Sequence, residues 1–324
     1  MITLVTGAGS SIDIDKTSFF SGIELIEGII DLTANINDFT KQTCNYLRFK
    51  GENNPMEIIK EFNEDLKYYF KIKNSSELGY SESEVSKIQR GSIDEFLSEI
   101  MVFPEYSGKT RDYFVDIGKY AIFYKVMEME NKFFGRYPAG VTTNNWILDF
   151  KELLDINKDV IIITFNYDRL IEHILGKEYE CRVLHVYGTV SLSNWPFGCI
   201  PGGIGSNKSA NEIEYRNLGD FKIVNDRVRE PKTSGIIGIE RIAQRLQQLN
   251  FVMGFGYDFY NVRNLGLLNN SNRTVYTNIF PTDDKAKGFM QRRGKTIEVR
   301  KMIPDAHFTY NDCKQLVEFI KTFK

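Results

Sequence analysis

The sequence predicts an α/β protein: a doubly wound, mostly parallel sheet of about six strands with a helical insertion between the first and second strands. Three observations predict it. Ile2 to Thr6 is a β-branched, apolar run that stops at Gly7-Ala8-Gly9, the pattern of a buried strand opening into a glycine turn. The next run of comparable clarity, Asp159 to Phe165, comes about 150 residues later. The chain between the two is mostly helical in its apolar period, so the helices interrupt a sheet that resumes after them. This is a Rossmann-like arrangement.

Taken in order, the insertion offers Ser92 to Met101, where Ser92 and Glu95 fit a capping box, then Thr110 to Phe134, where apolar residues recur at three and four, then Asn145 to Leu154. After the second strand, Asn166 to Gly176 reads as a helix with a polar start and a glycine stop. Arg182 to Val190 alternates as a strand. Residues 196–235 are rich in Gly, Asn, Ser and charge with little apolar period, which predicts a long surface loop or lid. Ile236 to Leu249 is a helix candidate leading into a strand at Asn250 to Gly254. Arg273 to Phe280 and Thr296 to Met302 supply further strands before a final helix over Asp312 to Phe323. The expected organisation is one α/β domain over 1–324 carrying a helical insertion at 16–157.

Composition narrows the function classes. Across 324 residues, 41 Lys and Arg stand against 43 Asp and Glu, a formal charge of −2. There is no basic surplus with which to grip a phosphate backbone, so direct nucleic-acid binding is not expected. Charged residues make up 26%, apolar residues 42% and aromatic residues 13%, which excludes disorder as the dominant state. The opening MITLVTGAGSS has no basic stretch and long apolar run of a secretory signal, and no window of about 18 uninterrupted apolar residues occurs, so no membrane association is expected. Cys44, Cys181, Cys199 and Cys313 form no CxxC pair, so the expectation is a cytoplasmic protein with reduced thiols and no metal.

Four segments carry the chemistry. Gly7-Ala8-Gly9-Ser10-Ser11 directly follows a strand, where bare backbone can approach a pyrophosphate and amides and hydroxyls can donate to it. The third glycine of a GxGxxG pattern is missing, since position 12 is Ile, and the segment reads equally as a tight turn. Thr164 to Leu170, TFNYDRL, lies at the C-terminal end of a buried strand, where open α/β sheets place ligands. Asn166 offers both a donor and an acceptor, enough to hold a ribose hydroxyl and a water together, while Asp168 either supports a developing positive charge or caps the following helix. In HVYGTV, with His185, Tyr187 and Gly188, a continuous strand points both rings to one face. His185 then reads either as a general base or as a buried structural histidine, and His173 in a helix and His307 in a late loop read as structural or solvated. The fourth segment, Phe251 to Asp258, runs into Gly254 and Gly256, followed by Tyr257 and Asn261. It is a second strand end where a ribose fits, or an ordinary strand-to-helix turn.

In the order GAGSS, TFNYDRL, HVYGTV and GFGYD, these segments resemble the sirtuin-like domain family, in particular the NAD-consuming effectors of prokaryotic anti-phage defence. Ser92 to Leu97 is similar to a segment those effectors carry between their first and second strands, and the resemblance spans roughly residues 1 to 265. It implies NAD as substrate, with the pyrophosphate at Gly7, Ala8, Gly9 and Ser11 and the nicotinamide ribose and a water at Asn166. The family's base is a His immediately before Gly. Here Tyr187 stands at that position, and the resemblance passes the base role to His185, two residues earlier. Residues 12–15 read Ile-Asp-Ile-Asp where the family carries GIP.

The classical deacylases of the family hold a four-cysteine zinc module, which this chain lacks. The activity implied is therefore hydrolysis of NAD to nicotinamide and ADP-ribose, with no metal. Asn166 orients ribose and water, His185 serves as base or hydroxyl partner, and preorganised dipoles supply most of the stabilisation. A control element is implied too, either a homo-oligomer or a separately encoded sensor or regulatory subunit. Two other functions stay open at this level: a catalytically silent nucleotide-binding subunit of a larger complex, and an NAD-dependent protein deacylase or ADP-ribosyl transferase.

Overall fold

A computed structural model describes residues 2–74, 92–102, 104–106, 108–137, 145–187, 249–257, 259–268, 273–278, 296–297, 299–310 and 312–323. The elements run β1 (Ile2–Thr6), α1 (Ala8–Ile12), α2 (Gly22–Ala34), α3 (Asp38–Phe49), α4 (Pro55–Asn74), α5 (Ile93–Val102), α6 (Gly108–Arg136) and α7 (Trp146–Ile156). They continue through β2 (Val160–Thr164), α8 (Leu170–Leu175), a 3-10 segment Lys177–Arg182, β3 (Val183–His185), β4 (Leu249–Met253), α9 (Phe259–Asn264), β5 (Thr274–Asn278), β6 (Ala306–Tyr310) and α10 (Cys313–Ile320). The chain divides into an α/β unit, Met1–Phe19 with Ala139–Val186 and Lys232–Lys324, and a second unit, Phe20–Pro138 with Tyr187–Pro231.

In the α/β unit the six strands form one sheet in the order β3-β2-β1-β4-β5-β6, and every pairing is parallel. This is the Rossmann-like α/β fold. Each residue of β1 and of β2 is buried, as a strand with cover on both faces requires, and the runs ITLVT and VIIIT supply the β-branched chains that fit there. The strand order reverses between β1 and β4, the position where such sheets hold ligands. His185, Thr164, Thr6 and Met253 stand in one register row across β3, β2, β1 and β4. The segments that follow those four residues therefore emerge side by side at one edge of the sheet.

Several expectations change. The third strand ends at His185: Val186 donates its N–H to the Thr164 carbonyl at 2.9 Å, after which β2 has no further residue to pair, and Val186 and Tyr187 form a bend. Tyr187 and His185 are thus not neighbours on one strand face. Residues 296–297 and 299–302 are helical rather than extended. The reason is period: Val299 and Ile303 are both buried, joined by an Ile303 N–H to Val299 carbonyl bond of 2.7 Å, while Ile297 is 50% exposed. The sixth strand is instead β6, which contains His307, placed by sequence in a loop; its ring stacks on Tyr276 with centroids 5.0 Å apart. The helix expected over 236–249 lies outside the described residues except for Leu249, which opens β4. The loop expected at 196–235 lies outside them as well.

The second unit is helical in its described part. Ser21 and Glu24 close a capping box on α2, Asn37 and Thr40 do the same on α3, and Ser92 Oγ accepts the Glu95 N–H at 3.1 Å to start α5. Helix α6 packs against α2, α3, α4 and α5. At Gly118 an added Cβ would stand 2.4 Å from Leu97 Cδ2, so a larger residue at this α5–α6 approach would have to displace the Leu97 side chain. Phe62 lies edge-on to Phe96 and Phe114, and Phe39 stacks on Tyr120 with centroids 5.0 Å apart. Helix α7, expected within the insertion, belongs to the α/β unit, where it packs on β2, α8 and α10.

Candidate functional site

Two glycine turns meet at the edge where the strand order reverses. Gly7 donates its N–H to the Met253 carbonyl and Gly9 donates to the Gly254 carbonyl, each at 3.0 Å. Gly254 has φ +58, and an added Cβ there would stand 2.1 Å from Ser10 N; one on Gly7 would stand 2.8 Å from Gly254 O. Glycine is required at both because the two backbones touch. The amides of Gly7 and Gly9, expected to face a pyrophosphate, are already given to the β4 turn, so the two turns lock each other. Asn278 at the end of β5 supports the second turn, with Oδ1 accepting the Gly254 N–H at 2.9 Å. Its Nδ2 lies 3.6 Å from Cys313 Sγ. Burial, and next the charge of Asp13, push the Cys313 thiol well above its ordinary value of 9.0, so this buried thiol stays protonated and structural.

The hydroxyls of the first turn connect to the segment after β2. Trp146 at the start of α7 donates its indole N–H to the Ser10 carbonyl at 2.9 Å, and Ser10 Oγ donates to the Gly7 carbonyl at 2.7 Å. Ser11 Oγ lies 3.0 and 3.2 Å from the two oxygens of Asp168, and Asn166 Nδ2 lies 2.9 Å from Ser11 Oγ. These contacts fix the amide. An ionised carboxylate only accepts, so Ser11 gives Asp168 its proton and is left to accept from Asn166, which puts Nδ2 toward Ser11 and Oδ1 away from it. Asn166 Oδ1 is buried with no hydrogen-bond partner among the described residues. The main chain of Asn166 is held too, its N–H by Thr164 Oγ1 at 3.1 Å and its carbonyl by His185 Nδ1 at 3.1 Å.

His185 is engaged on both sides, because Nε2 contacts Glu172 Oε1 in α8. A carbonyl and a carboxylate are both acceptors, so the ring meets them as a doubly protonated imidazolium. Burial, the largest single influence, lowers its basicity, but the Glu172 carboxylate, the Asn166 carbonyl and the charge of Asp168 together outweigh it and raise the pKa of His185 above 6.5. The ring expected to serve as a base therefore has neither nitrogen open in this arrangement. Asp168 stands one residue before the N-cap Arg169 of the next helix, where its Oδ1 accepts the Leu170 N–H at 3.2 Å, and it anchors Ser11 at the same time.

The structure thus brings Gly7, Gly9, Ser10, Ser11, Thr164, Asn166, Asp168, His185 and Gly254 into one connected cluster, with Ala8 inside the first turn. Tyr257 is buried beside Phe255 at a left-handed φ of +55, a backbone state rare for an aromatic residue. Gly256 is exposed, and Asn261 lies within α9. Tyr187 lies beyond β3, and Gly188 falls outside the described residues. Sequence reasoning missed Glu172, Trp146 and Asn278. Of these Glu172 carried a signal, as the lone acid in LIEHIL directly after the TFNYDR segment.

Fold and site together define a Rossmann-like α/β protein with a buried polar cluster at its topological switch point. No family model matches the chain, and no curated protein does. Among the described residues, no helix is long and apolar enough to cross a membrane.

Proposed function

We propose that the chain is an NAD glycohydrolase, which cleaves the nicotinamide–ribose bond of NAD and adds water to give ADP-ribose, nicotinamide and a proton. The observation that carries this reading is Asn166: its side-chain Nδ2 is held by Ser11 and its main-chain carbonyl by His185, while the side-chain acceptor Oδ1 is buried and left over at the switch point. Such an acceptor suits a ribose hydroxyl or the attacking water, each of which brings an O–H to donate. The bond to the departing nicotinamide breaks first, an oxocarbenium-like ribose forms, and water adds at C1′. The nearby Asp168 carboxylate favours the positive charge, and the rigid donors and acceptors around it need no rearrangement. The resemblance to the sirtuin-like effectors supports the choice of NAD and a role in anti-phage defence through NAD depletion. It also supports control by self-assembly or by a separately encoded subunit, since unregulated NAD loss is lethal to the producing cell.

The test is release of nicotinamide from NAD by the wild-type protein and by Asn166→Ala, alone and with lysate of phage-infected cells. Release that depends on Asn166 is expected. A second reading, a catalytically silent nucleotide-binding subunit, is favoured by the engagement of both His185 nitrogens. Tight NAD binding with no release under either condition would select it.

A further inference from the structure

Asn166 is clamped by two relays of the same form. Asp168 holds Ser11, which holds the Asn166 side chain, and Glu172 holds His185, which holds the Asn166 main-chain carbonyl. We propose that Glu172 and His185 form a positioning dyad for the substrate-orienting Asn166, and that His185 acts through this clamp rather than as the base of the reaction. The proposal rests on the glycohydrolase reading for its catalytic consequence and on geometry for the clamp itself.

The geometry is specific. His185 is the last residue of an edge strand only three residues long, so β2 alone steadies its backbone, and the ring needs a second hold to stay aimed. Glu172 supplies it from α8. The side chains of Glu172 and His185 are 6% and 10% exposed, so water competes little for either partner. The second oxygen, Glu172 Oε2, is buried with no hydrogen-bond partner among the described residues, which leaves the imidazolium as the group that meets this charge. The groups that act on the ring are Glu172 from α8, the Asn166 carbonyl from the end of β2 and the more distant charge of Asp168. A proton leaving the ring would give up one of its two bonds, and an acceptor aimed at substrate is not available on it. What the ring does is fix the peptide group of Asn166, and with it the direction of Oδ1.

The dyad is tested by a double-mutant cycle and by a spectrum that needs no turnover. Glu172→Ala and His185→Ala are each expected to lower kcat by up to about 10²-fold, the scale of a misplaced reacting group, with KM changed far less. His185→Asn is expected to recover most of the rate, because an asparagine amide can donate to the Asn166 carbonyl from nearly the position of Nδ1. In the His185→Asn background, Glu172→Ala is expected to cost nothing further, since it acts only through the ring. Nitrogen-15 spectra of the wild type at neutral pH are expected to show His185 protonated on both nitrogens, a signature lost in Glu172→Ala. A His185→Asn protein as inactive as His185→Ala would overturn the proposal and restore the base, as would full additivity in the cycle. A singly protonated His185 in the wild-type spectrum overturns the clamp whatever the enzyme does, whereas absence of nicotinamide release with a doubly protonated ring would refute the glycohydrolase reading alone.

Discussion

In the helical unit Phe62 packs edge-on to Phe96 and Phe114 with ring centroids 5.7 and 5.6 Å apart, and the buried surface is mostly aromatic and aliphatic. In the α/β unit the strands are equally apolar, but at their C-terminal ends Ser10, Ser11, Asn166, Asp168 and Glu172 are all buried as well. Both regions exclude water, and they use the exclusion differently. Aromatic packing gains from each atom removed from solvent. A buried polar cluster loses unless its groups are paired, and at these strand ends Thr6 Oγ1, Asn166 Oδ1 and Glu172 Oε2 are buried with no hydrogen-bond partner among the described residues. The helical unit buries polar side chains too, with Asn63 Nδ2 donating to the Ile30 carbonyl at 2.7 Å and to Thr33 Oγ1 at 2.6 Å, so the difference lies in the Glu172–His185 contact that the α/β unit sets beside Asn166.

Substitutions in the two regions are expected to separate stability from activity. Phe62→Ala empties a fully buried site and is expected to destabilise the fold by roughly 3–5 kcal/mol in denaturant titration, with activity per folded molecule retained. Asn166→Ala is expected to do the reverse, lowering kcat for nicotinamide release by about 10²–10³ with a much smaller change in unfolding midpoint. Equal damage to stability and rate in either variant would break the distinction. Gly254→Ala sets a Cβ against the backbone of the first glycine turn at a left-handed φ, so a loss of about 1–3 kcal/mol together with weaker NAD binding by calorimetry is expected. Unchanged NAD affinity in that variant would show that the locked turns do not shape the site.

Smaller effects sharpen the same contrast. The pKa of His185 is raised above 6.5 in the folded protein, so the fold binds this proton more tightly than the unfolded chain. Its contribution to stability is fully present below pH 6.5 and is lost as pH rises through the higher folded value. The stability difference between wild type and His185→Gln is therefore expected to shrink with rising pH; a difference that grows instead would mean the ring is buried neutral. Lys41 and Asp38 form an exposed pair on α3, and Lys41→Ala is expected to change stability by less than about 0.5 kcal/mol.

Much of the fold was legible because its signals are local. A β-branched run ending in glycine is a buried strand wherever it lies, and α5, α6 and α7 announced themselves by period and by caps such as Ser92. Asn166 and Asp168 were legible from their place at a strand end. What escaped depends on partners far apart in sequence. The length of β3 is set by where β2 stops, which no alternation within 182–190 records. The segment at 296–302 mixes β-branched and charged residues and follows a four-residue period on only two positions, Val299 and Ile303. The tie between Glu172 and His185, and that between Asn278 and Gly254, exist only once three strands have been set side by side.

The insertion of more than a hundred residues between β1 and β2 also has a consequence for synthesis. Ile2 pairs with Val160 on one side, and Thr3 pairs with Asn250 on the other. At roughly 5–20 residues per second the ribosome needs about 8–30 s to deliver the first of these partners and longer for the second. The helices made in the interval have neighbours close in sequence and can close early, while β1 waits with both edges open. Of the sheet's six strands β1 waits longest for a first partner, and during that wait its ITLVT run is a site for a chaperone to guard.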